Sequence, residues 1–234
     1  MKINIEKNNI KEKAAKALES MIGDVNDRPL LLLLSGGSSF GLLDHIAPDS
    51  FTKDTVIGML DDRYSRDPEI NGCQILKRTA FFSNAVNQGV IFLDSSVGES
   101  ESLDTYADRY ESEIKKWMKL YPDGIIRATV GIGPDGHTSG VLPYPEDPKK
   151  FNELFNGEHL VAGYDVGDKS PYRYRLTSTF TLMRKFDRVI TYMTGEGKRE
   201  ALKKVLADDG TLAETPGRII RELKDVEVYT DIVI

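Results

Sequence analysis

The sequence predicts one α/β domain spanning residues 1–234, a three-layer αβα sandwich with a mostly parallel, Rossmann-like sheet. The first observation is that short apolar runs alternate with longer segments of helical periodicity, which is typical of strand–helix–strand units. The second is that such runs are apolar at every position, as in Leu30–Leu34, which indicates parallel strands covered on both faces. A chain of 234 residues with 40% hydrophobic content can bury one large core, and it contains no repeat or linker.

The first half of the chain contains three predicted strands, with a predicted helix between each pair. Residues 9–22 place apolar side chains every three or four positions, which indicates an amphipathic helix. Aromatic and aliphatic side chains at the same spacing between residues 102 and 121 indicate a longer helix whose rings we expect in the core. The strands are predicted at residues 30–34, 55–60 and 89–93, and the other helices at residues 40–46 and 71–79.

The second half continues this alternation around an irregular stretch. Residues 127–132 are predicted as a buried strand, whereas the prolines at 143, 145 and 148 predict an irregular excursion over residues 144–155. We expect a short edge strand at residues 159–164 and an extended segment running into a helix at residues 173–180. The remaining predictions are strands at residues 188–193 and 226–234, a helix at residues 197–206 and a short helix from Pro216 to residue 223.

Charge and composition exclude several classes of protein. With a net charge of −6 and a pI near 5.2, the chain is not expected to bind nucleic acid or anionic membranes through general electrostatic attraction. The longest apolar run is too short to span a bilayer, and residues 1–20 form a charged helical pattern rather than a signal peptide. The single Cys73 excludes an internal disulfide and favours a reducing compartment, so we expect a cytoplasmic protein that is a monomer or small homo-oligomer.

Four polar clusters each follow a predicted strand. They are residues 35–39, 61–63, 133–137 and 195–198. Because ligands of parallel α/β sheets bind beyond the carboxyl ends of the strands, we expect these clusters to meet at one edge of the sheet. Four independent clusters at one edge favour a binding site more strongly than any one of them does.

The loop that contains His137 is the candidate catalytic element. Its glycines allow a sharp turn and a close approach to a ligand, and Asp135 lies two residues before the histidine. Histidine side chains ordinarily titrate near neutral pH, so His137 is a candidate general base with Asp135 or Asp61 to orient it. The structural alternative is an exposed turn that carries a solvated imidazole.

The serine- and glycine-rich turn after Leu34 is the candidate phosphate site. It contains Gly36, Gly37, Ser38 and Ser39 and opens a helix, where free N–H groups attract an anion. It lacks the lysine and the spacing of a nucleotide-triphosphate loop, so a phosphosugar is a better prediction than ATP. The structural alternative is an ordinary tight turn between a strand and a helix.

Three cations are candidate anion-binding groups, although Arg175 and Lys198, like Arg173, are individually ordinary surface residues. Arg63 is suited to clamp a carboxylate, lactone or phosphate oxygen. Arg175 lies in the predicted extended segment at residues 173–180, and Lys198 lies in the first turn of the predicted helix at residues 197–206. Three histidines and one cysteine without paired spacing give no metal site, and no cofactor is predicted.

Two competing motifs fit the sequence poorly. Residues 37–41 match the G-x-S-x-G nucleophile elbow, which would make Ser39 an esterase nucleophile, but only about thirty residues precede it instead of several strands and an oxyanion loop. Residues 131–136 match the G-x-G-x-x-G dinucleotide fingerprint, but the prolines that follow prevent the helix that an NAD site needs.

Four motifs in this order resemble the 6-phosphogluconolactonase and glucosamine-6-phosphate deaminase family. Residues 35–38 (SGGS) resemble the family's S-G-G-S/T phosphate loop, and residues 61–63 (DDR) resemble its D-E-R tripeptide. Residues 131–143 (GIGPDGHTSGVLP) resemble G-x-G-x-D-G-H-T-A-S-L-F-P, and residues 194–198 (TGEGK) resemble T-G-x-x-K. Residues 175–177 (RLT) also resemble an arginine-containing R-x-T segment.

The resemblance is to the lactonase branch. A deaminase pattern places a glutamate five residues after the histidine, where this chain has Leu142, and its acidic tripeptide tends to end in tyrosine, where this chain has Arg63. The chain also departs from the family pattern at Asp62, at residues 39–40 and 139–140, and in a shortened loop over residues 64–71. These departures affect substrate choice more than fold.

The resemblance implies hydrolysis of 6-phospho-D-glucono-1,5-lactone to 6-phosphogluconate, a reaction of the pentose phosphate pathway, without a metal. It implies that His137 activates water and that Arg63 stabilises the oxyanion. Two alternatives remain open: a deaminase or isomerase acting on an amino-sugar phosphate, and a sugar-phosphate-binding protein without turnover. The implied phosphate ligands are Gly36, Gly37, Ser38, Arg175 and Lys198.

Overall fold

Seven strands form the central sheet of the computed structural model, which describes residues 1–234. Every neighbouring pair in this sheet is parallel, as predicted. From edge to edge the order is β1 (Lys2–Ile5), β10 (Val226–Thr230), β9 (Arg188–Tyr192), β6 (Ile125–Val130), β2 (Leu30–Leu34), β3 (Thr55–Met59) and β5 (Ile91–Phe92).

Helices cover both faces of this sheet, which confirms the predicted three-layer sandwich. Strand β2 shows the cause, because Leu30, Leu32 and Leu34 pack into one buried cluster while Leu31 and Leu33 pack into the other. Each fully buried leucine contributes roughly 2 kcal/mol relative to an exposed one. One face carries α1 (Ile10–Gly23), α2 (Phe40–Leu43), α3 (Gly72–Lys77) and α4 (Ala80–Asn87), and the other carries α5 (Leu103–Leu120), α6 (Pro148–Phe155), α7 (Phe180–Met183) and α8 (Arg199–Leu206).

A second, antiparallel sheet was not predicted. Its strand order is β4 (Asp61–Arg63), β8 (Tyr174–Ser178) and β7 (Val161–Asp165). Residues 61–63, predicted only as a polar cluster that follows a strand, pair with β8 and form the strand β4. The predicted edge strand near residue 160 is β7, at the edge of this small sheet, and the predicted extended segment leading into a helix is β8 followed by α7.

The prediction of an irregular excursion over residues 144–155 is wrong for the second half of this segment, which is the helix α6. Asp147 caps this helix, with its Oδ1 accepting a hydrogen bond of 3.0 Å from the Lys150 N–H. Pro148 occupies the first turn, where proline is tolerated because its missing N–H would have no partner there. Phe151 and Phe155 then anchor the helix in the core.

Two other elements had too little periodicity to be predicted. Strand β1 has only four residues at the sheet edge. Helix α4 begins at Ala80, separated from the end of α3 by two residues, and the Thr79 hydroxyl caps it by accepting a hydrogen bond of 3.1 Å from the Phe82 N–H. Several predicted elements are shorter than expected: the helix near residue 40 ends at Leu43, and the final strand ends at Thr230. Short 3₁₀ helices occur at Gly37–Ser39, Gly167–Lys169, Glu196–Lys198 and Pro216–Arg221. None of the helices combines the length and the hydropathy required to cross a membrane.

Candidate active site

A cleft of about 380 Å³ opens at the carboxyl ends of the parallel strands. It lies beside the loops that follow β2 and β6, the two neighbouring strands between which the connections of the sheet reverse direction. Residues from all four predicted clusters line it. Those predicted from sequence are Gly36, Gly37, Ser38, Asp61, Arg63, His137, Arg175 and Lys198.

The loop after β2 is held against the loop after β6. The Ser35 N–H donates to Thr129 Oγ1 at 2.9 Å, and the Gly131 N–H donates to Ser35 Oγ at 3.3 Å. Gly37 adopts a φ of +65°, which favours glycine, and no atom lies within 4 Å of a Cβ built on it. The loop therefore presents bare backbone to the cleft at the start of the 3₁₀ helix, where N–H groups have no acceptor in a preceding turn.

The loop after β6 is folded tightly, and a side chain at either Gly133 or Gly136 would displace a neighbouring side chain. A Cβ on Gly133 would lie 2.1 Å from the His137 ring, so only glycine lets the imidazole fold back over the backbone. Gly136 has a φ of +88°, and its carbonyl accepts a hydrogen bond of 2.8 Å from the Gly217 N–H. Together these contacts fix where His137 stands.

His137 is held by Asp135. The carboxylate accepts from the His137 backbone N–H at 3.1 Å, and its Oδ1 lies 2.5 Å from the His137 Nδ1. Burial tends to raise the pKa of Asp135, but the hydrogen bonds and positive charge of His137 outweigh burial and lower it. A carboxylate at Nδ1 leaves Nε2 as the ring nitrogen available to a ligand or water.

The small sheet supplies one polar wall of the cleft. Asp61 lies opposite Thr177 and Arg63 lies opposite Arg175, so these side chains share one face of the antiparallel pair β4–β8. Burial raises the pKa of Asp61 against the opposing charges of Arg175, Arg63 and His137. Burial also lowers the pKa of Arg175, although the charge of Asp61 opposes that shift.

Tyr172 joins the two arginines. Its ring centroid lies 5.2 Å from the Arg63 Cζ and 6.0 Å from the Arg175 Cζ, within the range of cation–π contacts. The Arg175 Nε donates to the Tyr172 carbonyl at 3.0 Å and its Nη2 donates to Ser170 Oγ at 3.0 Å. The loop between β7 and β8 therefore positions both guanidinium groups.

Asp62 faces away from Asp61 and fixes the other side of β4. Its carboxylate accepts hydrogen bonds from the N–H groups of Arg63 at 2.7 Å, Gly72 at 2.5 Å and Cys73 at 3.0 Å, and from Ser95 Oγ at 2.7 Å. Burial raises its pKa to about 6 in spite of these four donors.

Lys198 closes the cleft from the loop after β9. Gly195 takes a φ of +95° there, and its N–H donates to Asp231 Oδ1 at 2.8 Å. The Lys198 ammonium forms no ion pair with a protein carboxylate, and burial lowers its pKa. An uncompensated, half-buried cation beside an exposed glycine loop can bind an anion.

Two predicted residues do not line the cleft. Ser39 is only 2% exposed inside the 3₁₀ helix, and its Oγ has no hydrogen-bond partner. Asp135 lies behind His137 rather than on the cleft wall. The sequence did not predict Tyr172 or Ser139, which do line the cleft. The departure of residues 139–140 from the family pattern was a signal for Ser139, and there was none for Tyr172. No group of three or more His, Cys, Asp or Glu side chains comes close enough to hold a metal ion.

Comparison with known proteins identifies the family. The family model described as glucosamine-6-phosphate isomerases/6-phosphogluconolactonase matches residues 6–229. The chain belongs to this family. Within the family, the 6-phosphogluconolactonase of Rattus norvegicus is 28% identical over 210 residues, covering 85% of this chain and 75% of the rat protein. The Homo sapiens 6-phosphogluconolactonase is 28% identical over 185 residues, covering 75% of this chain and 67% of the human protein.

Solved structures of the family share the fold. A 6-phosphogluconolactonase from Shewanella baltica superposes with a TM-score of 0.76 at 18% identity, covering 98% of this chain and 95% of the other. The 6-phosphogluconolactonase from Thermotoga maritima gives a TM-score of 0.75 at 20% identity, with 98% of both chains covered. The family relatives of this chain therefore carry lactonase names, in agreement with the branch that Leu142 and Arg63 indicate.

Proposed function

We propose that this chain hydrolyses 6-phospho-D-glucono-1,5-lactone to 6-phosphogluconate and that His137 is the general base. The observation that carries the proposal is the cleft itself, where an imidazole with an engaged Nδ1 faces three cations and a bare glycine loop. The names of the family relatives support the choice of substrate.

The cationic side of the cleft would bind the phosphate. Lys198 has no protein counterion, Arg175 keeps part of its guanidinium free, and Gly36, Gly37 and Ser38 present backbone N–H groups. A phosphate with two negative charges would satisfy several of these donors at once. Fixing the phosphate holds the lactone ring over the loop that contains His137.

The chemical step would begin at the free ring nitrogen. The Nε2 of His137 accepts a proton from water as the water oxygen bonds to the lactone carbonyl carbon. Arg63 stabilises the developing oxyanion, a contribution typically worth a few kcal/mol per donor. The bond between that carbon and the ring oxygen then breaks, and the imidazolium returns its proton to the departing ring oxygen.

Two carboxylates would support the imidazole differently. Asp135 holds Nδ1 at 2.5 Å and so fixes the ring orientation and tautomer. Asp61 makes no hydrogen bond to His137, but its charge is felt by the imidazole and would stabilise the imidazolium that forms during the reaction. The proposal uses no metal, because no group of candidate ligand side chains converges in the cleft.

Deamination has less support from the same geometry. The position that carries a glutamate in the deaminase pattern is Leu142, which is 7% exposed. It lines a different, more apolar cleft of about 610 Å³ on the far side of this segment, together with Tyr144, Phe155 and Tyr164. An assay for ammonia released from glucosamine 6-phosphate distinguishes the two activities.

The test of the proposal is His137→Asn. We expect the enzymatic rate of lactone hydrolysis, corrected for the spontaneous reaction, to fall by about 10² to 10⁴ while 6-phosphogluconate binding is largely kept. The matched control is His159→Asn, because His159 also places its Nδ1 beside a carboxylate, 3.4 Å from Glu111 Oε2, but lies outside the cleft. Near-normal turnover in His137→Asn would refute the role of His137, and an inactive wild-type protein would refute the activity.

A further inference from the structure

A two-residue turn beside the candidate base has an unusual sequence. Thr138 and Val141 pair with each other through hydrogen bonds of 3.2 and 2.8 Å, so Ser139 and Gly140 form the turn between them. Ser139 has a φ of +51°, whereas Gly140 does not adopt a positive φ. Turns with this pattern prefer glycine at their first central position, where this chain has serine.

Packing explains the glycine but not the serine. A Cβ on Gly140 would lie 2.9 Å from the Thr177 Cβ and 3.2 Å from the Leu176 carbonyl oxygen, so β8 leaves no space for a side chain there. This packing does not require a positive φ at the residue before it, yet Ser139 takes the left-handed conformation, which is unfavourable for a residue with a Cβ. Glycine at position 139 would avoid that cost.

The Ser139 hydroxyl adds a second local cost. Ser139 is 8% exposed, and its Oγ is buried without a hydrogen-bond partner in the protein. A buried hydroxyl without a partner is destabilising, whereas alanine at the same position would have nothing to satisfy. Ser139 also lines the cleft, two residues after His137.

We propose that Ser139 is a specificity-determining residue whose Oγ hydrogen-bonds a hydroxyl group of the bound sugar. Two unfavourable features at one residue in a cleft wall are explained if the ligand supplies the missing partner. The phosphate is the preferred partner of the cations and backbone N–H groups across the cleft, which leaves the neutral hydroxyls of the sugar for the neutral Ser139. The proposal rests on the proposed function, since it assigns a contact to the same substrate.

A hydrogen bond between Ser139 Oγ and the sugar would affect which ligands the cleft binds. A site that pairs a buried polar group with a substrate hydroxyl discriminates against ligands that lack that hydroxyl more strongly than an apolar site does. Ser139 therefore belongs to the part of the cleft that binds the sugar, whereas Lys198 and the glycine loop bind the phosphate.

The experiment compares Ser139→Ala and Ser139→Gly with wild type. Both variants lack the hydroxyl, but Gly also removes the backbone strain that Ala keeps. The matched control is Ser178→Ala, because Ser178 is 1% exposed and its Oγ also lacks a partner, but it does not line the cleft. The measurements are the Kd values of 6-phosphogluconate and of inorganic phosphate, the kcat/KM for the lactone, and the thermal midpoint.

We expect both Ser139 variants to bind 6-phosphogluconate about tenfold more weakly, with a similar loss in kcat/KM, an unchanged Kd for phosphate and no loss of thermal stability. Ser178→Ala should match wild type in binding. The proposal is overturned if Ser139→Ala binds 6-phosphogluconate as wild type does, or if it loses phosphate and 6-phosphogluconate affinity equally. A difference between Ala and Gly in the 6-phosphogluconate Kd would likewise overturn it, because backbone strain would then be responsible.

Failure of this inference is separable from failure of the proposed activity. If wild type binds 6-phosphogluconate but does not hydrolyse the lactone, the activity fails while the Kd values still test Ser139. If wild type hydrolyses the lactone and both Ser139 variants equal it in binding and turnover, the Ser139 assignment alone fails.

Discussion

The two faces of strand β4 carry adjacent carboxyl groups with opposite surroundings. Asp62 is 2% exposed and accepts four hydrogen bonds. Asp61 accepts none from the protein, although the charges of Arg175, Arg63 and His137 lower its pKa against the effect of burial. Both groups are desolvated, and burial raises the pKa of each. The difference is that the protein supplies hydrogen-bond donors to the Asp62 carboxyl and none to the Asp61 carboxyl.

This difference suggests separate roles for two adjacent residues, a structural role for Asp62 and a functional role for Asp61. A buried polar group that the protein satisfies fully contributes to the fold, whereas one that it leaves unsatisfied has a cost that a ligand can relieve. The same contrast holds for Lys169, which pairs with Glu146, and Lys198, which pairs with no carboxylate. We therefore expect substitutions on the Asp61 face of β4 to lower activity more than stability. Substitutions on the Asp62 face should lower stability more than activity.

The largest expected effect is that of Asp61→Asn. The substitution keeps the shape but removes the charge beside His137, so we expect kcat/KM for the lactone to fall about 100-fold. Because desolvation makes the charged form of this carboxyl unfavourable and no hydrogen bond offsets it, its removal should at the same time raise the thermal midpoint. Steady-state kinetics and thermal unfolding of the same preparation test both parts. A variant that loses stability and keeps its activity would contradict the comparison.

Asp62→Asn should give the opposite result. The amide nitrogen cannot accept the hydrogen bonds that one carboxylate oxygen receives from the Cys73 N–H and Ser95 Oγ. We expect the free energy of unfolding at pH 7 to fall by about 2 kcal/mol, measured by denaturant titration, with less than a tenfold change in kcat. The control is Asp165→Asn, a carboxyl whose side chain is 38% exposed and pairs with Arg173, where we expect a much smaller loss of stability than in Asp62→Asn. Equal losses of stability in the two variants would remove the distinction.

The sequence predicted which strands end at the site but could not separate these two carboxyls. The apolar runs fix β2, β3, β6 and β9, and parallel topology then places the loops after them at one edge, as the cleft shows. Asp61 and Asp62 are identical neighbours in the sequence. Both residues border the cleft, but which carboxyl lies beside Arg175 depends on register with β8, where Asp61 pairs with Thr177, and that register is not encoded locally.

The same limit explains the other residues that sequence reasoning misplaced. Ser38 and Ser39 are adjacent and alike, but the 3₁₀ helix leaves Ser38 in the cleft and buries Ser39. Tyr172 reaches the cleft through the loop between β7 and β8, in a sheet that was not predicted. Local sequence patterns were therefore enough to predict helices and strands. The orientation of single side chains depends on the pairing of distant segments, which local patterns do not show.

The pH dependence of stability provides a smaller, signed test of the Asp62 face. The pKa of Asp62 is raised from its ordinary value to about 6 by burial, so the folded protein holds this proton more tightly than the unfolded chain does. The group therefore stabilises the fold when protonated, and that contribution is lost as pH rises through about 6. Between pH 5 and pH 7 the free energy of unfolding of wild type should fall by roughly 1 kcal/mol relative to Asp62→Asn. Parallel curves for the two proteins would show that Asp62 does not titrate in this range.

The smallest expected effect concerns Tyr172, which supports the cleft face of β4 through its ring. Phe keeps the ring face over Arg63 and Arg175, so Tyr172→Phe should leave kcat/KM within about twofold of wild type. Tyr172→Ala removes contacts that position both guanidinium groups, so we expect an increase in KM of about fivefold with kcat nearly unchanged, and a loss of unfolding free energy of at most about 1 kcal/mol.

The matched control for this ring is Tyr174→Ala. Tyr174 is 45% exposed and its ring lies 5.7 Å from the Arg173 Cζ, but it does not line the cleft. Its loss should not alter KM. If Tyr172→Ala and Tyr174→Ala raise KM equally, the effect belongs to β8 as a whole, and the arginines are held by the backbone and Ser170 contacts of Arg175 rather than by the Tyr172 ring. If only Tyr172→Ala raises KM and Phe restores it, the ring face itself positions the two guanidinium groups on the unsatisfied side of β4.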